Sequence, residues 1–132
     1  MILIDTNIFV YALDTTSIFH EKSKSIVFAA SEDLCTTSKN ISELFVVLSR
    51  NGYTAEELIS AYNLITSQCD IFFPDSNSLQ LFLSMLKLYN YKGKRIHDLE
   101  IASIALSNNV AMIATENIED FQDIEPLEIF VL

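Results

Sequence analysis

Two short runs with no polar residue, Ile2-Leu3-Ile4 and Val110 to Ala114, constrain this chain more than any other feature. A strand exposed on one side alternates apolar and polar residues, whereas an unbroken apolar run is covered on both faces, as in a parallel sheet flanked by helices. Leu34 to Thr37, Asp70 to Phe73 and Glu128 to Leu132 read as further strands. Helical segments separate them. Ile8 to Leu13 begins a short helix, and about Glu21 to Ser31 forms another with Ile26, Ala29 and Ala30 on one side. Lys39 to Arg50, with Ser38 as its cap, places Ile41, Leu44, Phe45 and Leu48 on one stripe, and Gly52 stops it. Thr54-Ala55-Glu56-Glu57 is a capping box opening a helix to about Gln68. Helices from about Ser76 to Tyr91 and from Asp98 to Asn108 complete the alternation. The pattern predicts an α/β fold, a mostly parallel central sheet with helices on both faces.

A chain of 132 residues suits one domain, residues 1–132. Eighteen Asp and Glu against eight Lys and Arg give a net charge of −10, which excludes a protein that coats polyanions indiscriminately. A nuclease whose charge is offset by metal and by a local basic patch stays open. Nine Phe and five Tyr with only two Pro and two Gly exclude disorder. Cys35 and Cys69 lack zinc-type spacing and are expected to be ordinary buried thiols in a reducing interior. Asp5 follows Met1 too closely for a signal-peptide core, and no stretch of eighteen apolar residues occurs. A cytoplasmic location and no membrane partner are the expectation.

Ligands of open α/β sheets sit beyond the carboxyl ends of the strands. Asp5 ends the first strand, Glu43 lies early in the helix after the second, Asp98 opens a helix, and Asn117 follows the strand ending at Ala114, with Asp120 one turn on. Singly, Asp5 reads equally as a helix cap, Glu43 as a solvated helix residue and Asp98 as a favourable charge at a helix start. Their placement on separate elements is what suggests a site. Carboxylates gathered in one cleft repel each other and call in a cation, and oxygen ligands without His or Cys select Mg²⁺ or Mn²⁺. Such an ion generates hydroxide from water and steadies an in-line displacement at phosphorus. Lys92, Lys94 and Arg95 form a basic loop that is either simply solvated or docks phosphate. His20 and His97 are expected to be hydrogen-bonded residues at helix starts. Glu116 to Glu128 holds six carboxylates and no base, a solvated face that discourages wrong anionic partners.

Asp5-Thr6-Asn7 after an apolar run, Ser42-Glu43-Leu44, His97-Asp98-Leu99-Glu100-Ile101-Ala102 and Ala114-Thr115-Glu116-Asn117-Ile118-Glu119-Asp120-Phe121 together resemble the PIN-domain pattern, with the VapC-like toxin ribonucleases of toxin–antitoxin pairs as the most similar subgroup. The resemblance spans essentially the whole chain. It implies a single PIN-like nuclease domain, a metal-dependent endoribonuclease, in which Asp5, Glu43 and Asp98 are the catalytic, metal-binding triad. Asn117 or Asp120 would complete the metal site, and Thr6 and Thr115 would orient these groups or meet substrate alongside Lys92, Lys94 and Arg95. An RNA substrate, a cognate antitoxin and a homodimer are implied with it. Asn117 and the acidic balance also fit a noncatalytic PIN-like module that binds RNA or protein. An aspartyl-phosphate phosphotransfer protein is a third reading, weakened by Asn7 standing where a phosphohydrolase has its second acid.

The helix from about Ser76 carries two apolar stripes. Leu79, Phe82, Leu83 and Leu86 are expected to face the core, leaving Leu81, Met85 and Leu88 either sunk between helices or exposed for dimerisation.

Overall fold

In the computed structural model, which describes residues 1–29 and 31–130, five strands form one sheet in the order β3-β2-β1-β4-β5, every neighbouring pair parallel. They are β1 (Ile2–Ile4), β2 (Leu34–Thr37), β3 (Asp70–Phe72), β4 (Met112–Ala114) and β5 (Glu128–Ile129). Both apolar runs supply central strands, β1 buried throughout and β4 buried at Ile113 and Ala114, while Ala111 just before β4 is exposed. Side chains alternate across β1 and its neighbours. Ile2, Ile4, Leu34 and Ala114 point into one core, and Leu3, Cys35 and Ile113, paired with one another by register, point into the other.

The helices divide the same way. The first core is closed by α1 (Thr6–Leu13), α2 (His20–Ala29), α3 (Ser38–Arg50) and α4 (Ala55–Thr66) through Ile8, Phe9, Ile26, Leu44, Leu48 and Ile65. The second is closed by α5 (Ser76–Tyr89), α6 (Arg95–Ser107) and the segment around α7 (Ile118–Phe121) through Met85, Leu99, Ala102, Phe121 and Ile124. This division follows from handedness: the chain moves outward from β1 to β3 and then returns to β4 and β5, so right-handed crossovers place the two sets on opposite faces. Among the described residues no helix is long and apolar enough to cross a membrane.

Caps and turns set the boundaries, and they shift several expected ones. Thr37 rather than Ser38 caps α3, accepting from the Asn40 N–H at 3.2 Å. Gly52, at φ +92°, closes α3 as expected: its N–H donates to the Ser49 carbonyl and that of Tyr53 to Leu48. The Thr54–Glu57 capping box is present, with α4 ending at Thr66. At the end of α6, Asn109 takes a left-handed conformation and the Val110 N–H donates to the Ala105 carbonyl, so Val110 finishes the helix and the strand starts only at Met112. The left-handed Asn90 ends α5 two residues short of Tyr91. Helix α6 begins at Arg95, three residues before Asp98, which removes Arg95 from the expected basic loop. Ala30, Val131 and Leu132, assigned by sequence to a helix and a strand, lie outside the described residues.

The two stripes of α5 are redistributed. Met85 is buried with Ser78, the sunk alternative of the two, while Leu79 and Leu83 are more than half exposed, the reverse of the sequence expectation for those two. The buried line runs through Ser78, Leu81 and Phe82, Met85 and Tyr89, because α5 packs along α6 with this single face. Leu88 stays outside at 75% exposure. Met85→Ala is therefore expected to cost about 2–5 kcal/mol of stability, whereas Leu83→Ala stays within roughly 0.5 kcal/mol. Urea denaturation of the two variants checks this, and equal losses would contradict the assignment of the buried face.

Candidate active site

The first connection leaves β1 toward β2 and the later ones return to β4, so β1 and β4 flank the switch point where open α/β sheets hold ligands. Asp5 stands there. Its N–H donates to the Ala114 carbonyl at 3.0 Å, extending the β1–β4 ladder by one residue before α1 begins. Its carboxylate is 6% exposed and accepts from four donors. Oδ1 receives the Thr6 N–H at 2.8 Å and Asn40 Nδ2 at 3.2 Å; Oδ2 receives the Thr115 hydroxyl at 2.7 Å and Asn7 Nδ2 at 3.3 Å. Asn7 Oδ1 in turn accepts from the Glu116 N–H at 3.2 Å, tying the loop after β4 to α1.

Glu43 from α3, Asp98 from the first turn of α6, Asp120 from α7 and Asn117 from the residue before it line, with Asp5, one open cleft of about 960 Å³. The cleft shifts two of these carboxylates, Asp5 and Asp98. Burial pushes Asp5 up from 3.8 to about 6 against the pull of its hydrogen bonds to Thr115 and Thr6, with the charges of Glu43 and Asp120 raising it further. Asp98 rises to about 7, through desolvation first and then the charges of Asp120, Asp5 and Glu43, with Arg95 opposing. Glu43 Oε2 accepts the Thr6 hydroxyl at 2.9 Å. Among the described residues no three Asp, Glu, His or Cys side chains are drawn into a closed ligand set, so these groups share a cleft without meeting at one point. Their chemistry nonetheless fits a hard divalent ion: the donors are oxygens, and a cation relieves the repulsion that lifts Asp5 and Asp98.

The remaining sequence candidates fall differently. The Thr6 and Thr115 hydroxyls are both buried and both directed at carboxylates, and Thr115 stands behind Asp5 rather than on the cleft wall. Lys94 and Arg95 line the cleft; Lys92 does not. Arg95 stacks on the Tyr91 ring at 3.6 Å, which fixes its guanidinium plane. His20 Nδ1 lies 2.9 Å from the Tyr11 carbonyl, the expected hydrogen bond, whereas His97 is exposed on the cleft wall and has no such bond among the described residues. Sequence reading missed Lys39, Arg50 and Asn40. Lys39, Glu43 and Arg50 recur at helical spacing along the cleft face of α3, and that recurrence was the available signal. Lys39 is also bridged to Glu100 at 3.4 Å. Asn40 carried only a weak signal, an amide in the first turn after a threonine cap.

The raised carboxylates make a stability prediction whose sign is fixed. Asp98 holds its proton more tightly in the fold than in the unfolded chain, so ionising it costs stability progressively from about pH 4 to about pH 7 and fully above that. Asp98→Asn removes the cost. In chelator at pH 8 the variant is expected to gain about 1 kcal/mol, or roughly 3–6 °C in Tm, after allowing for solvent screening at this half-exposed position. The gain fades to nothing as pH falls to 3.8. Asp5→Asn is the contrasting case, because its amide NH₂ would face the donors that now serve Asp5. Thermal melts across pH decide, and an Asp98→Asn gain that persisted at low pH would refute the electrostatic account.

The chain matches the PIN domain family over residues 2–125. No curated protein matches it. Solved structures share the fold. A chain of VapBC2 from Rickettsia felis, bound to a promoter DNA fragment, is 24% identical with a TM-score of 0.72, covering 98% of each chain. A toxin–antitoxin complex from Klebsiella pneumoniae gives 18% identity and a TM-score of 0.72, over 99% of this chain and 97% of the other. The sarcin–ricin loop cleaving toxin VapC20 of Mycobacterium tuberculosis is 10% identical with a TM-score of 0.70, over 86% and 87%. With the family matched across nearly its whole length, and with the parallel sheet carrying acids at its carboxyl ends, the chain belongs to the PIN domain family.

Proposed function

We propose that this PIN domain is an endoribonuclease that hydrolyses RNA phosphodiester bonds with Mg²⁺ or Mn²⁺, as the toxin of a type II toxin–antitoxin pair. The observation that carries the reading is the convergence of Asp5, Glu43, Asp98 and Asp120, from four separate elements, on one cleft at the switch point of the sheet. Asp5, Glu43 and Asp98 hold the cation, with Asn117 or Asp120 completing its surroundings. A divalent ion there supplies charge neutralisation and activation of water for attack at phosphorus. Lys94 and Arg95 on one wall and Arg50 on α3 contact the phosphates that flank the scissile bond. The stack on Tyr91 keeps Arg95 turned for a planar, two-point contact with phosphate oxygens.

Toxin–antitoxin complexes among the structures that share this fold support an antitoxin partner. The exposed Leu79 and Leu83 on α5, with Phe73 just before it, support a homodimer on that face rather than on the buried Met85. A cytoplasmic location goes with this reading. One observation favours the noncatalytic reading, the lack of a closed ligand set among the described residues, and the same experiment separates the two.

That experiment is cleavage of a mixed RNA panel in Mg²⁺ or Mn²⁺. Asp98→Asn and Glu43→Gln are expected to lose more than about 100-fold in rate, beyond the roughly 10–100-fold cost of removing a group that only supports a ligand. Asp120→Asn should lose less. Wild-type rates in Asp98→Asn would refute the site, and wild-type protein that binds RNA without cutting it would make this a binding module. Replacing Lys94 and Arg95 by Ala should raise KM and lower the slope of log affinity against log salt by about 0.7 per lost phosphate contact. Lys92→Ala, away from the cleft wall, should leave that slope unchanged.

A further inference from the structure

We propose that Asn40 is a positioning residue for the carboxylate site: its side-chain amide, locked in one orientation by Thr37, holds Asp5 and, through Thr6, Glu43 in the arrangement that receives a divalent cation. The inference rests on the reading of the cleft as a metal-dependent nuclease site. Asn40 has no exposed surface and does not line the cleft, so it touches neither cation nor substrate itself.

The case rests on where each hydrogen goes. A threonine hydroxyl has one proton, and Thr37 Oγ1 already accepts from the Asn40 N–H at 3.2 Å. Its proton is left for Asn40 Oδ1, which accepts it across a short contact of 2.6 Å. The two ends of the amide are told apart by their partners together: the Thr37 hydroxyl donates to Oδ1, and Asp5 Oδ1, which can only accept, takes the nitrogen. Nδ2 is thereby aimed away from the cap, toward Asp5 Oδ1 at 3.2 Å and Thr6 Oγ1 at 3.1 Å. Thr6 Oγ1, having accepted from Asn40, sends its own proton to Glu43 Oε2 at 2.9 Å; the other acceptor within reach, the Asn40 carbonyl, is farther at 3.4 Å. The relay runs one way, from the end of β2 into two carboxylates.

Helix formation alone does not call for this side chain. Asn is a poor residue inside a helix, and the cap at Thr37 is satisfied by the Asn40 backbone N–H. A buried amide also carries a desolvation cost unless its donors and its oxygen all find partners. Here both donors are committed to the two parts of the site that α1 and α3 bring together. Asp98 and Asp120, on α6 and α7, have no side-chain hydrogen bond of this kind among the described residues. The relay therefore fixes the Asp5 and Glu43 side of the site.

The test measures Mn²⁺ affinity directly, by the electron paramagnetic resonance signal of free Mn²⁺, on the full chain, together with kcat and KM on the RNA panel. Asn40→Ala is expected to weaken Mn²⁺ binding about 10–100-fold, the usual cost of losing a partner that orients a ligand. It should lower kcat while leaving KM for RNA unchanged. Thr37→Val, which removes the donor that holds Asn40 Oδ1, should move both readouts in the same direction by less, and Thr37→Ser, which keeps the hydroxyl, should give wild-type values. Folded Asn40→Ala that binds Mn²⁺ like wild type and loses only Tm overturns the proposal, leaving Asn40 a structural residue. If Asn40→Ala does not fold, wild-type Mn²⁺ affinity in Thr37→Val overturns it equally. Failure of the underlying reading looks different: the wild type itself would then neither bind Mn²⁺ nor cleave RNA, which overturns both.

Discussion

Burial of β1 on both faces is the constraint on which the rest of this structure depends. Ile2 and Ile4 need one layer of helices and Leu3 needs another, so this three-residue strand sits at the centre of the sheet. A parallel neighbour on each side then follows, because every crossover must carry a helix back across a face. Once β1 is central and all strands point one way, the residue that ends it stands at the switch point. Asp5 is that residue, and its N–H still belongs to the ladder through Ala114. The position of the carboxylate is a consequence of hydrophobic layering.

That placement sets stability against chemistry. A carboxylate at 6% exposure resists ionisation, and Glu43 and Asp120 add their charge to the resistance. The fold offsets part of this with donors alone: every hydrogen bond to Asp5 comes from an N–H or a hydroxyl, an arrangement suited to the ionised form. The rest of the repulsion stays stored in the cleft. On the proposed reading a divalent cation would relieve it, so metal affinity and the cost of ionising Asp5 and Asp98 would share one electrostatic origin.

What could be read in the sequence divides along the same physical lines. The apolar runs, the Thr54 capping box and the stop at Gly52 are local signals with local causes, and they gave the α/β order and the strands around the site directly. Asp5, Glu43 and Asp98 were visible because strand ends and helix starts can be placed without knowing how layers pack. The α5 stripes were not, since Met85 and Leu83 are equally apolar and only the angle at which α5 meets α6 decides which is covered. Lys92, Lys94 and Arg95 look equivalent in a row, yet the start of α6 at Arg95 turns Lys94 and Arg95 onto the cleft wall and leaves Lys92 off it. Asn40 was missed because its meaning lies in contacts to residues more than thirty positions away.

The charge distribution completes the argument. A net charge of −10 opposes binding of any polyanion, and through a screening length of about 8 Å it acts mainly over short range. Lys39, Arg50, Lys94 and Arg95, four of the eight Lys and Arg, line the one cleft that also holds the acids. Lys39 is partly neutralised by Glu100, which leaves Arg50, Lys94 and Arg95 as cleft-lining cations with no salt bridge among the described residues. On the proposed reading, a phosphate chain approaching elsewhere would meet repulsion, whereas one entering the cleft would meet Arg50, Lys94 and Arg95 and, with a divalent ion bound, a smaller negative charge. Selectivity for the proposed polyanionic substrate would then come from where the few positive charges sit rather than from their number.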